Sequence, residues 1–427
     1  MSKAKMGYSK QIITPDLGLQ MSGYASDSRF ADGIHDDLYT ALILIEKDGK
    51  KALIIQNDML VVDYAFTDQV RALAEARGID KNNVFVGATH THSGPKGLLR
   101  NDSDIGFTAI QLIGQYNPEM VAHILSAIDA GIAEALADMC ETEVKYGFHE
   151  VEGVGTNRNS KDVSCDQTLL AIEFVRADGK RVLLYNYACH PTVLSITNTK
   201  YTADWPYGVV KKATENGYEM VLFLFGSAGE VSTRFTRKGS TFAEAERLGG
   251  LVYDAAQKAL ANAKLQEIDT IEAYALTHGM ALRSFGTVEE AEAKRDQYQK
   301  ELDEVIAKGE TSLRVYESKV EGANINLMRA RELSGKTTEN VYLNFLKLND
   351  LIFVFMPAEL FSTLSTPIRK KFNNKVIFCT CFMGCHAYIT DSVAYDNETY
   401  EAMSSPFIRL EGEKLMAQAD EFLHSIQ

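Results

Sequence analysis

The chain has 427 residues, 45% of them apolar and 24% charged, and a formal charge of −14 at pH 7. That length supports one large α/β domain or two smaller ones. The acidic balance excludes an ordinary nucleic-acid partner, whose phosphates require lysine and arginine, and argues against simple electrostatic docking on anionic lipid.

Residues 10–60 read as strands and turns, with 41–45 and 51–55 forming a hairpin around Asp48-Gly49. Residues 64–77 predict a helix stopped by Gly78. Residues 118–139 carry apolar side chains at helical spacing, and His123 within them reads as structural. Residues 168–174 and 181–188 flank Asp178-Gly179, a second hairpin signal. Residues 243–265 are Ala-rich and helical in pattern. Residues 287–334 are dense in Glu, Lys, Arg and Gln and break at Lys308-Gly309, which predicts an inserted helical hairpin. This arm is expected to be solvated or to serve as a self-association surface for a homo-oligomer. Strand pattern resumes at Val341, and a helix is expected from about residue 405 to the end. The fold class is therefore α/β, with mixed β-sheets flanked by helices, in a single domain spanning 1–427 that contains the 287–334 arm.

No apolar run approaches the ~20 residues that a transmembrane helix needs. The first eight residues lack the apolar core of a secretory signal, so the cytoplasm is the expected location unless a leader has been removed. Six cysteines, at 140, 165, 189, 379, 381 and 385, form no disulfide framework for a chain of this length and are expected to be reduced. Cys379, Cys381 and Cys385 with His386 match no common zinc spacing.

The chemistry gathers where apolar runs stop. Asn83-Val-Phe-Val86 leads into Gly87-Ala-Thr-His-Thr-His-Ser-Gly-Pro95, with His90 and His92 spaced to share one face of an extended strand. The run from Arg181 to Cys189 ends in His190-Pro191, and Leu351-Ile-Phe-Val-Phe355 ends in Met356-Pro-Ala-Glu359. The run from Glu219 to Phe225 leads to Gly226-Ser-Ala-Gly229 and Ser232, and Lys375-Val-Ile-Phe-Cys379 leads to His386-Ala-Tyr388. Five strand ends that each deliver a chemically capable residue suggest one pocket, because ligand sites of α/β sheets gather there. His90, His190 and Glu359 on one metal would be a standard catalytic zinc set with an open position. Zinc so held would polarise a carbonyl and acidify bound water, as amide or ester hydrolysis requires.

Ala88-Thr-His-Thr-His-Ser-Gly-Pro95, Asn186-Tyr-Ala-Cys-His190-Pro, Gly229-Glu-Val-Ser232, Pro357-Ala-Glu359 and Tyr388-Ile-Thr390 resemble, in this order, the motifs of the neutral/alkaline non-lysosomal ceramidase family. Gly23-Tyr24, Gly33-Ile-His35 and Gly155-Thr-Asn-Arg158 add to the resemblance, which runs from about residue 7 to 410. It implies a zinc-dependent amidase that cleaves N-acyl sphingoid bases. It also implies Zn2+ bound by His90, His190, Glu359 and Tyr388, with Ser232, His92, Arg158 and Tyr400 as catalytic residues. Ser232 is the implied nucleophile, and attack by zinc-bound water stays open beside it. His92 could donate a proton or only orient a ligand. Arg158 could bind an oxyanion or form an ion pair with Asp204, itself placed near the site. Glu230 stands where the family has Asp, and no counterpart of the family's C-terminal β-sandwich domain is visible. A small N-acyl amine is thus as acceptable a substrate as ceramide.

Two other readings compete. A serine esterase would use Ser227, although Phe225 occupies the place where a nucleophile elbow needs Gly. A non-catalytic protein could keep the zinc pocket to bind a small molecule.

Overall fold

In strands covered on both faces, every side chain meets apolar neighbours, so the sequence runs apolar without alternation. Ala41 to Ile45 is such a run. Leu42 and Leu44 join a core of helices, while Ile43 and Ile45 join a core of strands. The computed structural model of the chain, which describes residues 2–24, 26, 28–100, 113–310, 313–333 and 335–427, accounts for this with four layers.

The first sheet has eight strands in the order Met220–Phe225, Arg181–Tyr187, Thr168–Arg176, Cys140–Glu150, Lys5–Ile12, Tyr39–Lys47, Lys50–Asn57 and Val84–Ala88. The outermost pair at each end is parallel and the remainder antiparallel. The second sheet has four strands in the order Ile271–Ala281, Thr338–Leu348, Leu351–Met356 and Val376–Thr380. The sheets face each other across a shared core, where the Phe85 and Phe355 rings stack at 4.5 Å. Helices Tyr64–Ala76, Pro118–Ala137, Trp205–Glu215 and Phe242–Leu260 cover the outer face of the first sheet. Ser362–Lys371 and Glu411–Ser425 cover the second. Both sheets are mixed and flanked by helices, as expected.

The helix Pro118–Ala137 is long and apolar enough to cross a membrane, contrary to the expectation that no run approached this length. Its buried face packs on the first sheet, where Gly7 lets the helix backbone at Ala135 come close. His123 lies on its exposed side. The C-terminal helix begins at Glu411, not near 405. Pro406 keeps Ser405 extended, and Leu410 turns through the left-handed region before the helix starts.

The charged insertion forms two helices, Val288–Ala307 and Arg314–Glu332, the first opened by a capping box of Thr287 and Glu290. Residues 311–312 and 334 of the expected arm lie outside the described residues. The hairpin joins neighbouring antiparallel strands, so it interrupts the second sheet's connectivity without splitting it. Its first helix is mostly solvated, whereas its second rests on the short helix Tyr400–Ser404, with Gly322 against Met403.

Candidate active site

The strands Val84–Ala88, Arg181–Tyr187 and Met220–Phe225 of the first sheet, and Leu351–Met356 and Val376–Thr380 of the second, end in one region. His90 does not sit on extended backbone. Its φ is 64°, so a left-handed turn, not the strand repeat, brings its Nε2 to 3.4 Å from that of His92. Gly23 makes room for this turn, since a Cβ there would press on the His92 ring.

His90 Nδ1 donates to the Leu60 carbonyl at 2.8 Å, and His190 Nδ1 to the Val231 carbonyl at 3.0 Å. A carbonyl only accepts, so each Nδ1 carries a proton and each ring turns its Nε2 inward. Those two atoms lie 3.3 and 3.1 Å from the same oxygen, Glu359 Oε2. Burial and the Arg158 charge push His190 down to about 4. Burial, together with His90 and His190, pushes His92 well below its ordinary value. Two ring nitrogens and a carboxylate oxygen thus converge in buried space, an arrangement that suits a bound cation. His90, His92 and His190 can also present nitrogens within 4.8 Å of one another to a single ion. Among the described residues no cysteine joins a metal-ligating group. Cys381 reaches only the Nδ1 side of His90, at 3.5 Å.

Glu359 and Tyr388 are direct partners in a parallel two-strand ladder, so their side chains lie side by side on one face. Arg158 donates to the Tyr388 hydroxyl at 3.1 Å and lies 3.4 Å from His190 Nε2. The alternative ion pair with Asp204 is not present among the described residues. Asp204 instead accepts from the backbone N–H groups of Val193, Leu194 and Trp205, which pins the loop after His190 and opens the helix Trp205–Glu215. The Arg158 partner is Glu401, at 2.6 Å, which also accepts from Asn159 at 3.0 Å. Burial opposes both charges, yet each holds the other ionised. Sequence reasoning missed Glu401. The only signal was an acid directly after Tyr400 in an otherwise small and apolar stretch.

Ser232 is buried beside the site, one residue past the Val231 carbonyl that orients His190. Its Oγ accepts from the Arg234 N–H at 3.3 Å. Tyr400 packs edge-on to Tyr388 with ring centres 5.9 Å apart, and burial lifts its pKa to about 12. Glu230 does not approach the histidines. It accepts from the Ser362 and Thr363 N–H groups at the start of the helix Ser362–Lys371. His386 turns away from the histidine cluster and pairs with the Tyr64 hydroxyl at 2.8 Å. The Ser227 hydroxyl is buried with no hydrogen-bond partner among the described residues, so the esterase reading lacks its base.

The sequence profile described as Neutral/alkaline non-lysosomal ceramidase, N-terminal, matches residues 5–223. A neutral ceramidase of Oryza sativa subsp. japonica is 27% identical over 211 residues, covering 45% of this chain and 26% of the relative. A neutral ceramidase of Pseudomonas aeruginosa is 25% identical over 260 residues, covering 55% of this chain and 38% of the relative. The similarity therefore spans well under half the length of these relatives. The crystal structure of neutral ceramidase from Pseudomonas aeruginosa superposes with a TM-score of 0.76 at 18% identity, covering 98% of this chain and 73% of that one. A ceramidase complexed with C2 gives a TM-score of 0.74 at 16% identity, covering 97% of this chain and 74% of that one. With its profile match extending over half of the sequence, the chain belongs to the neutral/alkaline non-lysosomal ceramidase family.

Proposed function

We propose that this chain is a zinc-dependent hydrolase of the linear amide bond in an N-acyl amine, ceramide or a smaller relative. The supporting observation is the meeting of His90 Nε2, His190 Nε2 and one Glu359 oxygen, with both outer ring nitrogens tied to carbonyls. Two imidazoles and a carboxylate suit zinc, whereas calcium and magnesium favour all-oxygen shells. His90, His190 and Glu359 would hold the ion, with the Tyr388 hydroxyl beside Glu359 as fourth donor; when bound it would supply a Lewis acid for the amide carbonyl.

The remaining roles belong to the chain's own side chains. Arg158, held by Glu401, carries a fixed positive charge between His190 and Tyr388, where negative charge develops on the carbonyl oxygen. His92 is neutral, so it can accept a proton from the nucleophile and pass it to the leaving amine. In this reading Ser232 attacks the carbonyl carbon and Tyr400, packed edge-on to Tyr388, shapes the pocket. Donors come from both sheets, so in this proposal the chain works as one unit.

A panel of N-acyl amines, from short-chain ceramides to small acetylated amines, tests the reading before and after chelation and with zinc restored. The expected result is turnover of at least one amide that chelation abolishes and zinc recovers. Full turnover in metal-free protein would overturn it.

A further inference from the structure

A cavity of about 220 Å³ lies between the helix Trp205–Glu215 and the strands Tyr39–Lys47, Lys50–Asn57 and Met220–Phe225. It is larger than a single water requires. Val210, Val221 and Phe223 supply apolar wall. Asp58, only 8% exposed, lies in this lining. The Asp58 carboxylate accepts from the Tyr39 N–H at 2.9 Å and has a long 3.5 Å contact from the Gln56 amide. The Gln56 orientation is fixed, because its oxygen accepts from the Phe223 N–H at 3.1 Å.

Asp58 has no ion-pair partner among the described residues, and burial pushes its pKa up to about 7. Asp36, also in the lining, differs. It accepts from the Thr202 hydroxyl and from the Ala203 N–H at 2.9 Å, and contacts His35 at 2.7 Å. Asp58, by contrast, has only the Lys10 charge nearby to offset it, with no direct ion pair among the described residues. Beside it, the Tyr185 hydroxyl is fully buried, feels the Asp58 charge, and has no hydrogen-bond partner among the described residues. A buried hydroxyl and a buried carboxylate without full partners are costly in an empty cavity. One donor-rich cation would satisfy both.

An anion fits poorly, because Asp36, Asp37 and Asp58 line the cavity against the single cation Lys10. The Lys10 ammonium already rests 3.6 Å from the centre of the Tyr39 ring, so aromatic surface beside the cavity accepts this kind of charge. We propose that this cavity binds a small organic ammonium ion, its charged head between Asp58 and Tyr185 and its short apolar body on Val221 and Phe223. Thr89, next to His90 in sequence, lines the cavity, but none of the residues placed around the zinc ion does, and the proposal does not depend on amide hydrolysis.

Calorimetric titration of the full chain with n-butylammonium chloride, against n-butanol and potassium chloride, tests it. The expected result is saturable one-site binding of butylammonium at least about tenfold tighter than butanol, with potassium unable to displace it. Asp58→Asn should weaken butylammonium by about tenfold and Tyr185→Phe by a few-fold, whereas Glu359→Ala should leave it unchanged. If Asp58→Asn does not fold, the wild-type comparison and Tyr185→Phe decide. Equal binding of butanol, displacement by potassium, absence of saturation, or loss of binding in Glu359→Ala instead of Asp58→Asn would each overturn the proposal.

Discussion

The two sheets contribute differently to the histidine cluster. The first sheet and its loops supply nitrogen and positive charge through His90, His92, His190 and Arg158. The second supplies oxygen and negative charge through Glu359, Tyr388 and Glu401. Neither half is a site alone. They are stitched by short polar links: Asn186 to the Phe378 carbonyl at 3.0 Å, Thr380 to the Gly226 carbonyl at 2.6 Å, and Glu230 to the Ser362 N–H at 2.9 Å. A site divided in this way demands that the joint be rigid, because an error in docking displaces every donor at once.

Breaking the comparison at its centre has the largest expected effect. Glu359→Ala removes the carboxylate that both imidazoles face, and turnover should fall by at least about 100-fold. An assay of the purified variant on any accepted amide checks this. Glu401→Gln leaves the pocket's shape but removes the charge that aims Arg158. It should lower kcat by about 10- to 100-fold with KM little changed, as the separated constants will show.

Two substitutions probe the joint itself. Gly87 lies where a Cβ would fall within the Phe382 ring, across from the second sheet. Gly87→Ala should therefore destabilise the fold by about 1–3 kcal/mol in denaturant titration. Glu230 has a pKa lifted by burial from 4.5 to about 7. The folded chain keeps this proton where the unfolded chain has lost it, so the stability it contributes falls as pH rises from about 4.5 to 7 and is flat above. Glu230→Gln should remove that slope, gaining on the wild type by on the order of 2 kcal/mol between pH 5 and pH 8 in paired melts. The smallest effect is expected on the arm. Arg331→Ala breaks an exposed pair with Glu292 and should cost about 0.5 kcal/mol or less, without loss of turnover.

The same division explains what the sequence made legible. Strand ends that carry His90, His190 and Glu359 follow largely apolar runs, and such runs stand out when both faces of a strand are covered. The strands Cys140–Glu150 and Ile271–Ala281 were not read, because each interleaves charged or polar residues and is only partly buried. The left-handed turn at His90 was invisible, since it depends on space at Gly23 and not on local propensity. The Arg158–Glu401 pair joins residues 243 positions apart and carries no local pattern. The profile match ends at residue 223, before Glu359 and Tyr388, and over that half the solved structures share the fold alone.

Metal analysis of the purified chain beside His190→Ala and Glu359→Ala, one variant from each half, tests the shared centre most directly. The expected result is about one zinc per wild-type chain and loss of zinc in both variants. A full complement of metal in either variant would contradict a site built jointly by the two sheets.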